Sequence, residues 1–211
     1  MIKRIKDERA RIDGYKFSVG AVDFFNNRRY RDDFEWLILS YLTGALAAAG
    51  WEHPEFAQKR QPPEPDFMTY LDPSTPSRPV EVSEVLRPEY RRGEFHREAA
   101  RLGRKFYEIP DPHPKPWSSF CHVLRSKLRK PYAAGAWLLI YHDMTASEYP
   151  DYRPWHELVL QELTGWTYDS GETCDITASK YETIFVVDAS GTGLVRLHPY
   201  WDVIRPSPFP A

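Results

Sequence analysis

The first strong pattern of apolar and polar positions lies between residues 32 and 49. Apolar side chains recur there at intervals of three and four residues, which is the period of an amphipathic helix. They are Phe34, Leu37, Ile38, Tyr41, Leu42 and Leu46. Gly50 follows, and glycine commonly ends helices, so we predict the first core helix here. The residues ahead of it, with Gly14 and the Asn26-Asn27 pair, leave a short additional element open.

Two shorter stretches after a proline-rich connection have strand patterns. Residues 66–71 are rich in apolar and β-forming side chains, and residues 79–85 alternate apolar and polar positions with the two-residue period of a strand. Residues 72–77 between them have the composition of a turn or loop. We therefore expect the two strands to pair with each other.

The middle of the chain combines helical patterns with a buried strand. Residues 89–106 and 117–129 have helical spacing and are separated by a proline-rich break. Residues 136–141, Ala-Trp-Leu-Leu-Ile-Tyr, form a nearly continuous apolar run, which is typical of a strand covered on both faces. We expect this strand in the middle of the sheet.

The C-terminal part adds a further helix and further strands. A helix is predicted over residues 154–163, with Pro154 near its first turn, and strands over residues 183–188 and 193–197. Proline-rich residues 205–211 are predicted to be a tail. The resulting order is that of a mixed α/β protein (α+β) with helices packed on a sheet.

Length and composition indicate one folded domain over residues 1–211, since domains usually contain about 100 to 200 residues. The N-terminus lacks the apolar stretch of a signal peptide, and the longest apolar runs are too short to cross a bilayer of about 30 Å. We therefore expect a cytoplasmic protein with no membrane partner. Cys121 and Cys174 lack the paired spacing of a zinc site, which predicts buried, unreactive thiols.

Charge is distributed unevenly, although the net charge is only −2. Residues 86–130 contain twelve basic and five acidic residues, a local charge of +7 that leaves −9 for the rest of the chain. Such a stretch is expected of a surface that contacts phosphates, but a solvated helix face has the same composition. Charge alone leaves both interpretations open.

Two carboxylates on the predicted strand pair form a candidate metal site. Asp66 begins the first strand and Glu81 lies on the second, so antiparallel pairing can bring both within reach of one cation. Mg²⁺ prefers oxygen ligands and keeps several waters, so these carboxylates and the main-chain carbonyl of Val82 would suffice. Strand alternation places Ser83 on the same face as Glu81.

The segments Pro65-Asp66-Phe67 and Val80-Glu81-Val82-Ser83, preceded by Glu35 on a helix, resemble the PD-(D/E)XK nuclease superfamily. The resemblance implies a restriction-endonuclease-like core of order α-β-β-β-α-β over about residues 32–142, with a helix and hairpin extension over about 150–204. It also implies that Asp66 and Glu81 bind Mg²⁺ or Mn²⁺ and that Glu35 is the acidic residue of the first helix.

Ser83 departs from this family pattern, because it stands where the motif has lysine. The family lysine positions the attacking water and balances charge in the transition state. The resemblance suggests that a cation from a neighbouring helix replaces it, and residues 126–130 at the end of the helix predicted over 117–129 offer Lys127, the first choice, and Lys130. Arg91, Arg92 and Lys105 are further candidates. If no cation reaches the site, the chain is a catalytically degenerate module that binds without cutting.

Taken together, these features predict a metal-dependent nuclease that acts on nucleic acid, and DNA before RNA. The basic stretch supplies candidate phosphate contacts, namely Arg87, Arg91, Arg92, Lys105 and Arg125. The alternative is a nuclease-fold interaction module for nucleic acid or a protein partner. A homodimer also stays open.

Overall fold

A computed structural model of the chain describes residues 1–19, 24, 28–85, 101, 116–130, 134–142, 179–187, 194–198 and 202–205. These residues form one eight-stranded sheet in which the strands are arranged in their chain order. Helices pack against it. The mixed α/β class predicted from the sequence is confirmed. The predicted helices over residues 89–106 and 154–163 lie outside the described residues, apart from Arg101.

The predicted first core helix is confirmed. It is preceded by a 3₁₀ turn, Arg28–Tyr30, and by an earlier helix; numbered in chain order, helix α1 is Ile5–Val19 and helix α2 is Arg31–Ala48. Helix α2 ends just before Gly50, as expected, and the φ of Gly50 is +74°. The N–H groups of Gly50 and Trp51 donate to the carbonyls of Ala47 and Leu46 and so satisfy the helix's last carbonyls.

Helix α1 is an element that the sequence pattern left undefined. Among its described apolar side chains, Ile5 and Ile12 are the buried ones, and they are seven residues apart, so the helical period is barely visible. Polar and charged contacts with α2 add to this burial; the Arg9 guanidinium, for example, donates to Ser40 Oγ at 3.2 Å. Polar pairing between helices has no signature in an apolar pattern.

The predicted strand pair is confirmed and belongs to a larger antiparallel group. Strand β1 (Lys3–Arg4) pairs with β2 (Phe56–Lys59), β2 with β3 (Phe67–Asp72), and β3 with β4 (Thr75–Val85). The turn is tighter than predicted, because Asp72 Oδ1 accepts hydrogen bonds from the N–H groups of residues 74 and 75. Strand β4 therefore starts four residues earlier than its apolar alternation indicates.

The predicted central strand is also confirmed. Strand β5 (Trp137–His142) lies parallel to β4 on one side and to β6 (Thr183–Val187) on the other. Helix α3 (Pro116–Leu128) lies on the connection between β4 and β5, as the helical spacing predicted. It contacts β4, and among its side chains whose burial is described, Phe120, Cys121 and Leu124 are buried. The core of α2 lies on the opposite face of the sheet, against Val80, Leu139 and Phe185.

The far edge of the sheet matches the prediction in part. Strand β7 (Leu194–His198) pairs antiparallel with β6, as expected for the second predicted strand. A further strand, β8 (Asp202–Arg205), pairs antiparallel with β7 and was not predicted. Arg205 therefore ends a strand instead of starting a tail, and only residues 206–211 of the predicted tail lie outside the described residues.

Candidate functional site

Asp66 and Glu81 come from neighbouring strands, at the end of the sheet where β3 begins. Phe67 on β3 is paired with Val80 on β4, so the next positions outward along this antiparallel register are Asp66 and Glu81. Glu81 is buried, with 6% of its surface exposed. The unbroken pairing of β4 with β5 from Val80 to Val85 keeps Ser83 on the strand face of Glu81.

The Asp66 side chain provides a hydrogen-bond acceptor for strand β4 at the point where the main-chain pairing with β3 ends. Its Oδ2 accepts a hydrogen bond of 2.9 Å from the N–H of Val82, a group that β3 would otherwise pair. An extended residue directs its N–H and C=O toward the same side. The carbonyl of Val82 therefore faces the side on which Asp66 lies, as the candidate metal site requires.

Electrostatics oppose the ionised form of Asp66. Burial raises the pKa of this carboxyl group, and the negative charge of nearby Glu81 raises it further. The hydrogen bond from Val82 and the charges of Lys59 and Lys127 act in the opposite direction and do not fully offset the rise. Two adjacent carboxylates in a partly buried position thus retain an affinity for positive charge.

Lys127, the first choice from the sequence, reaches Glu81. Lys127 lies in the last turn of α3, and its Nζ is 2.5 Å from Glu81 Oε1. Its side chain is only 19% exposed. Lys130, the second choice, lies beyond the helix end and is exposed; its backbone N–H donates to the carbonyl of Lys127 at 3.0 Å. Of the two lysines, Lys127 is therefore the one that the fold directs to the carboxylate pair.

Glu35 is placed at the same end of the sheet, on the α2 side. Its carboxylate accepts a hydrogen bond of 3.0 Å from Arg31 Nε, and its second oxygen contacts Lys59 Nζ. Lys59 in turn lies 3.8 Å from Asp66 Oδ1 and 4.6 Å from the centroid of the Phe67 ring. Glu35 is thus linked to Asp66 through Lys59.

Lys59 is a site residue that sequence reasoning missed. It lies at the end of β2, where only Ala57 is fully buried, so the strand has almost no apolar pattern. Burial lowers the pKa of its ammonium group, although the charges of Asp66 and Asp32 act to raise it. The residue could have been found only from the pairing of Lys59 with Phe67 across β2 and β3.

The donor chemistry of this site fits Mg²⁺ or Mn²⁺. Asp66, Glu81 and the carbonyl of Val82 supply oxygen ligands, and waters with substrate oxygens commonly complete an octahedron around Mg²⁺. A carboxylate has about four lone-pair positions, so Glu81 can accept Lys127 and a cation together. Within the part of the chain that the structure describes, no group of three His, Cys, Asp or Glu side chains is arranged to hold a metal by itself.

The candidate phosphate contacts are described only in part. Arg125 lies on α3, two residues before Lys127, and is partly buried. Arg87, Arg91, Arg92 and Lys105 lie outside the described residues. Their proximity to the carboxylate pair therefore stays a prediction.

Comparisons with known proteins give no independent assignment. No protein-family model matches the chain, and no curated protein or solved structure is significantly similar to it. No helix within the described ranges is long and apolar enough to cross a membrane.

Proposed function

We propose that this chain is a metal-dependent nuclease, related to the PD-(D/E)XK superfamily, that hydrolyses phosphodiester bonds of DNA or RNA. The observation that supports the proposal best is the contact of Lys127 Nζ with Glu81, 2.5 Å long, beside a carboxyl group whose pKa is raised. It supplies from helix α3 the cation that Ser83 does not provide.

Each residue of the site has a distinct role in this proposal. Asp66, Glu81 and the carbonyl of Val82 would hold the ion, which supplies a more acidic water and charge compensation at phosphorus. Lys127 fixes the orientation of Glu81 and offsets the negative charge that develops on the phosphate oxygens. Water adds to phosphorus as the P–O bond to the leaving sugar oxygen breaks; the water loses a proton to solvent, and the leaving oxygen takes one up from solvent.

The basic helix would orient the substrate. Arg125 and Lys127 lie in the C-terminal half of α3, where Lys127 contacts Glu81, and Arg129 and Lys130 continue the positive charge beyond the helix. Phosphate contacts of this kind carry little sequence information but fix the strand in register. DNA is favoured over RNA only by the family resemblance.

The alternative is an interaction module with a nuclease-like core that does not cut. A specific observation favours it: Glu81 is paired with Lys127, and Glu35 with Lys59 and Arg31, so two of the three carboxylates of the site are compensated without a metal. The raised pKa of Asp66 disfavours this alternative, because it means that ionising this carboxyl group in the folded chain costs free energy.

A cleavage assay separates these functions. The full chain is incubated with single-stranded, double-stranded and branched DNA and with RNA, in Mg²⁺, in Mn²⁺ and in excess chelator. The nuclease proposal predicts cleavage of at least one substrate that chelator abolishes and Asp66→Asn removes. Salt-sensitive binding without cleavage under every condition would instead establish the interaction module.

A further inference from the structure

Lys59 lies between two carboxylates that come from different elements. Its ammonium group contacts Glu35 Oε2 on α2 and lies 3.8 Å from Asp66 Oδ1 ahead of β3. The Lys59 side chain is 19% exposed and that of Glu35 is 9% exposed, so solvent screens the contact weakly. Asp66 is therefore flanked by Glu81 on one side and by the Lys59–Glu35 pair on the other.

The position of the ammonium group is fixed by several independent contacts. Lys59 is paired with Phe67 across β2 and β3, and its Nζ lies 4.6 Å from the centre of the Phe67 ring. Arg31 Nε holds the other oxygen of Glu35 at 3.0 Å, which keeps that carboxylate turned toward Lys59. The charged group cannot leave this location without losing both the ion pair and the aromatic contact.

Phosphodiester-cleaving sites with two ions hold them about 3.5 to 4 Å apart and stabilise the attacking and leaving oxygens together. In this chain Asp66 would be the carboxylate shared by such a pair. One ion would be held by Asp66, Glu81 and Val82, and a second would need ligands from Asp66 and Glu35. The ammonium group of Lys59 lies between these two carboxylates, in contact with Glu35 and 3.8 Å from Asp66 Oδ1, and its charge repels a divalent ion at this range.

We infer that Lys59 limits the centre to one divalent ion, because its ammonium group fills the space between Glu35 and Asp66 that a second ion would need. The inference rests on the proposed function, since Asp66 and Glu81 must hold the first ion. Lys59 is in this sense a positioning residue: it controls where cations bind and does not itself react.

Ion counting tests the inference without reference to activity. Mn²⁺ bound to the full chain is measured by the loss of the free-ion paramagnetic resonance signal during titration. We expect one ion per chain in the parent and two in Lys59→Met, which keeps the length of the side chain and removes its charge. Adding Glu35→Gln to Lys59→Met should return the count to one, since the second ion loses its ligand.

Two controls keep the outcomes distinct. Lys59→Arg retains the positive charge and should bind one ion, and Lys127→Met should not create a second site between Glu35 and Asp66. One ion in folded Lys59→Met, or two in the parent, overturns the inference and leaves the proposed function intact. No bound ion in the parent overturns both.

A variant that fails to fold does not leave the question open. If circular dichroism shows that Lys59→Met is unfolded, Glu35→Gln in the parent decides, because the inference excludes Glu35 as a ligand there. Glu35→Gln should bind one ion with a Kd within about threefold of the parent value. A threefold change in Kd corresponds to less than about 1 kcal/mol of binding free energy. A Kd raised by about tenfold or more in Glu35→Gln would contradict the inference.

Discussion

Two carboxylates in the first turns of helix α2, Asp33 and Glu35, belong to charge clusters of different kinds. Asp33 faces helix α1, where Tyr15 and Arg11 both donate hydrogen bonds to it and Arg11 also donates to Glu8. The bond to Asp33 raises the pKa of Arg11, and burial together with Asp33 raises the pKa of Tyr15 to about 12. We call this group, which consists of Glu8, Arg11, Tyr15 and Asp33, the helix clamp. In it, both carboxylates accept hydrogen bonds from the positively charged Arg11, and Asp33 also accepts one from Tyr15.

Glu35 faces the sheet and joins a second group, the strand cluster, which consists of Glu35, Lys59, Asp66, Glu81 and Lys127. Its cations are lysines, which act as point charges, whereas Arg11 forms directed, forked hydrogen bonds. Asp66 and Glu81 remain next to each other, and burial and this neighbour raise the pKa of Asp66. The comparison indicates that the clamp stabilises the fold, while the strand cluster retains unfavourable charge that a bound cation would relieve.

The largest effect that separates the two clusters is expected for Asp66→Asn. This change keeps the shape and an oxygen that can accept the Val82 N–H, but it removes the charge of a proposed metal ligand. We predict that metal-dependent cleavage falls by about 1,000-fold or more, because a bound ion stabilises the transition state by several kcal/mol and about 1.4 kcal/mol corresponds to a factor of ten. Initial rates at saturating Mg²⁺ measure the loss.

Asp33→Asn is the matched control in the helix clamp. It removes the same charge from a carboxylate that hydrogen-bonds Arg11 and Tyr15, so we expect unfolding to become easier by about 1 kcal/mol and cleavage well below the melting temperature to be retained. Chemical denaturation measures the first quantity. If Asp33→Asn abolished cleavage while Asp66→Asn retained it, the assignment of roles to the two clusters would be reversed.

The two candidate lysines should differ by a smaller but clear factor. Lys127→Met removes the cation at Glu81, and we expect kcat to fall by about 100-fold, the low end of what a positioned proton or charge carrier contributes. Lys130→Met changes an exposed residue and should leave kcat unchanged while raising KM a few fold. Steady-state kinetics at several substrate concentrations would reveal equal losses in kcat if both lysines had the same role.

The smallest predicted difference is the pH dependence of stability. The raised pKa of Asp66 means that the folded chain holds this proton more tightly than the unfolded chain, whose carboxyl has a pKa of 3.8. The stability that the protonated Asp66 carboxyl group contributes is therefore lost as pH rises from 3.8 through the pKa of the folded chain. Asp66→Asn should gain stability relative to the parent over that window in thermal melts without metal.

Asp13 on helix α1 should show the opposite pH dependence of stability, because its pKa is lowered and not raised. Although burial alone would raise its pKa, hydrogen bonds from Lys16 and Arg9 lower it below 3.8. This carboxylate therefore contributes stability above pH 3.8 that is lost as pH falls through the folded pKa. Asp13→Asn should destabilise most near neutral pH. A parallel pH trend for Asp13→Asn and Asp66→Asn would show that their electrostatic environments are alike.

The sequence predicted the elements whose burial is apolar and periodic. Helix α2 and strand β5 are of this kind, and strand alternation placed Glu81 and Ser83 on one face of β4. Helix α1 and strand β2 were not predicted, because two buried isoleucines in one and Ala57 in the other leave little periodicity. Their positions depend on ion pairs and on pairing with distant strands, which a local pattern does not contain.

The residues of the candidate site likewise differ in whether a local sequence pattern predicts their positions. Asp66 and Glu81 follow from a hairpin register that is readable from the chain, whereas Lys127 was one of several candidate cations suggested by the family resemblance. Lys59 does not follow from that register, because its position next to Asp66 requires β2 to pair with β3. A residue whose role depends on an unpredicted strand cannot be assigned from spacing alone.

The most direct test of the central claim, that Asp66 and Glu81 hold a divalent ion, is a Mg²⁺ titration monitored by thermal melting. An ion that binds only the folded chain at 100 times its Kd adds about 2.7 kcal/mol of stability, or about 5 to 11 °C for a chain of this size. We predict a saturable rise of this order in the parent and none in Asp66→Asn. An equal rise in Asp66→Asn, or no rise in the parent, would contradict the account.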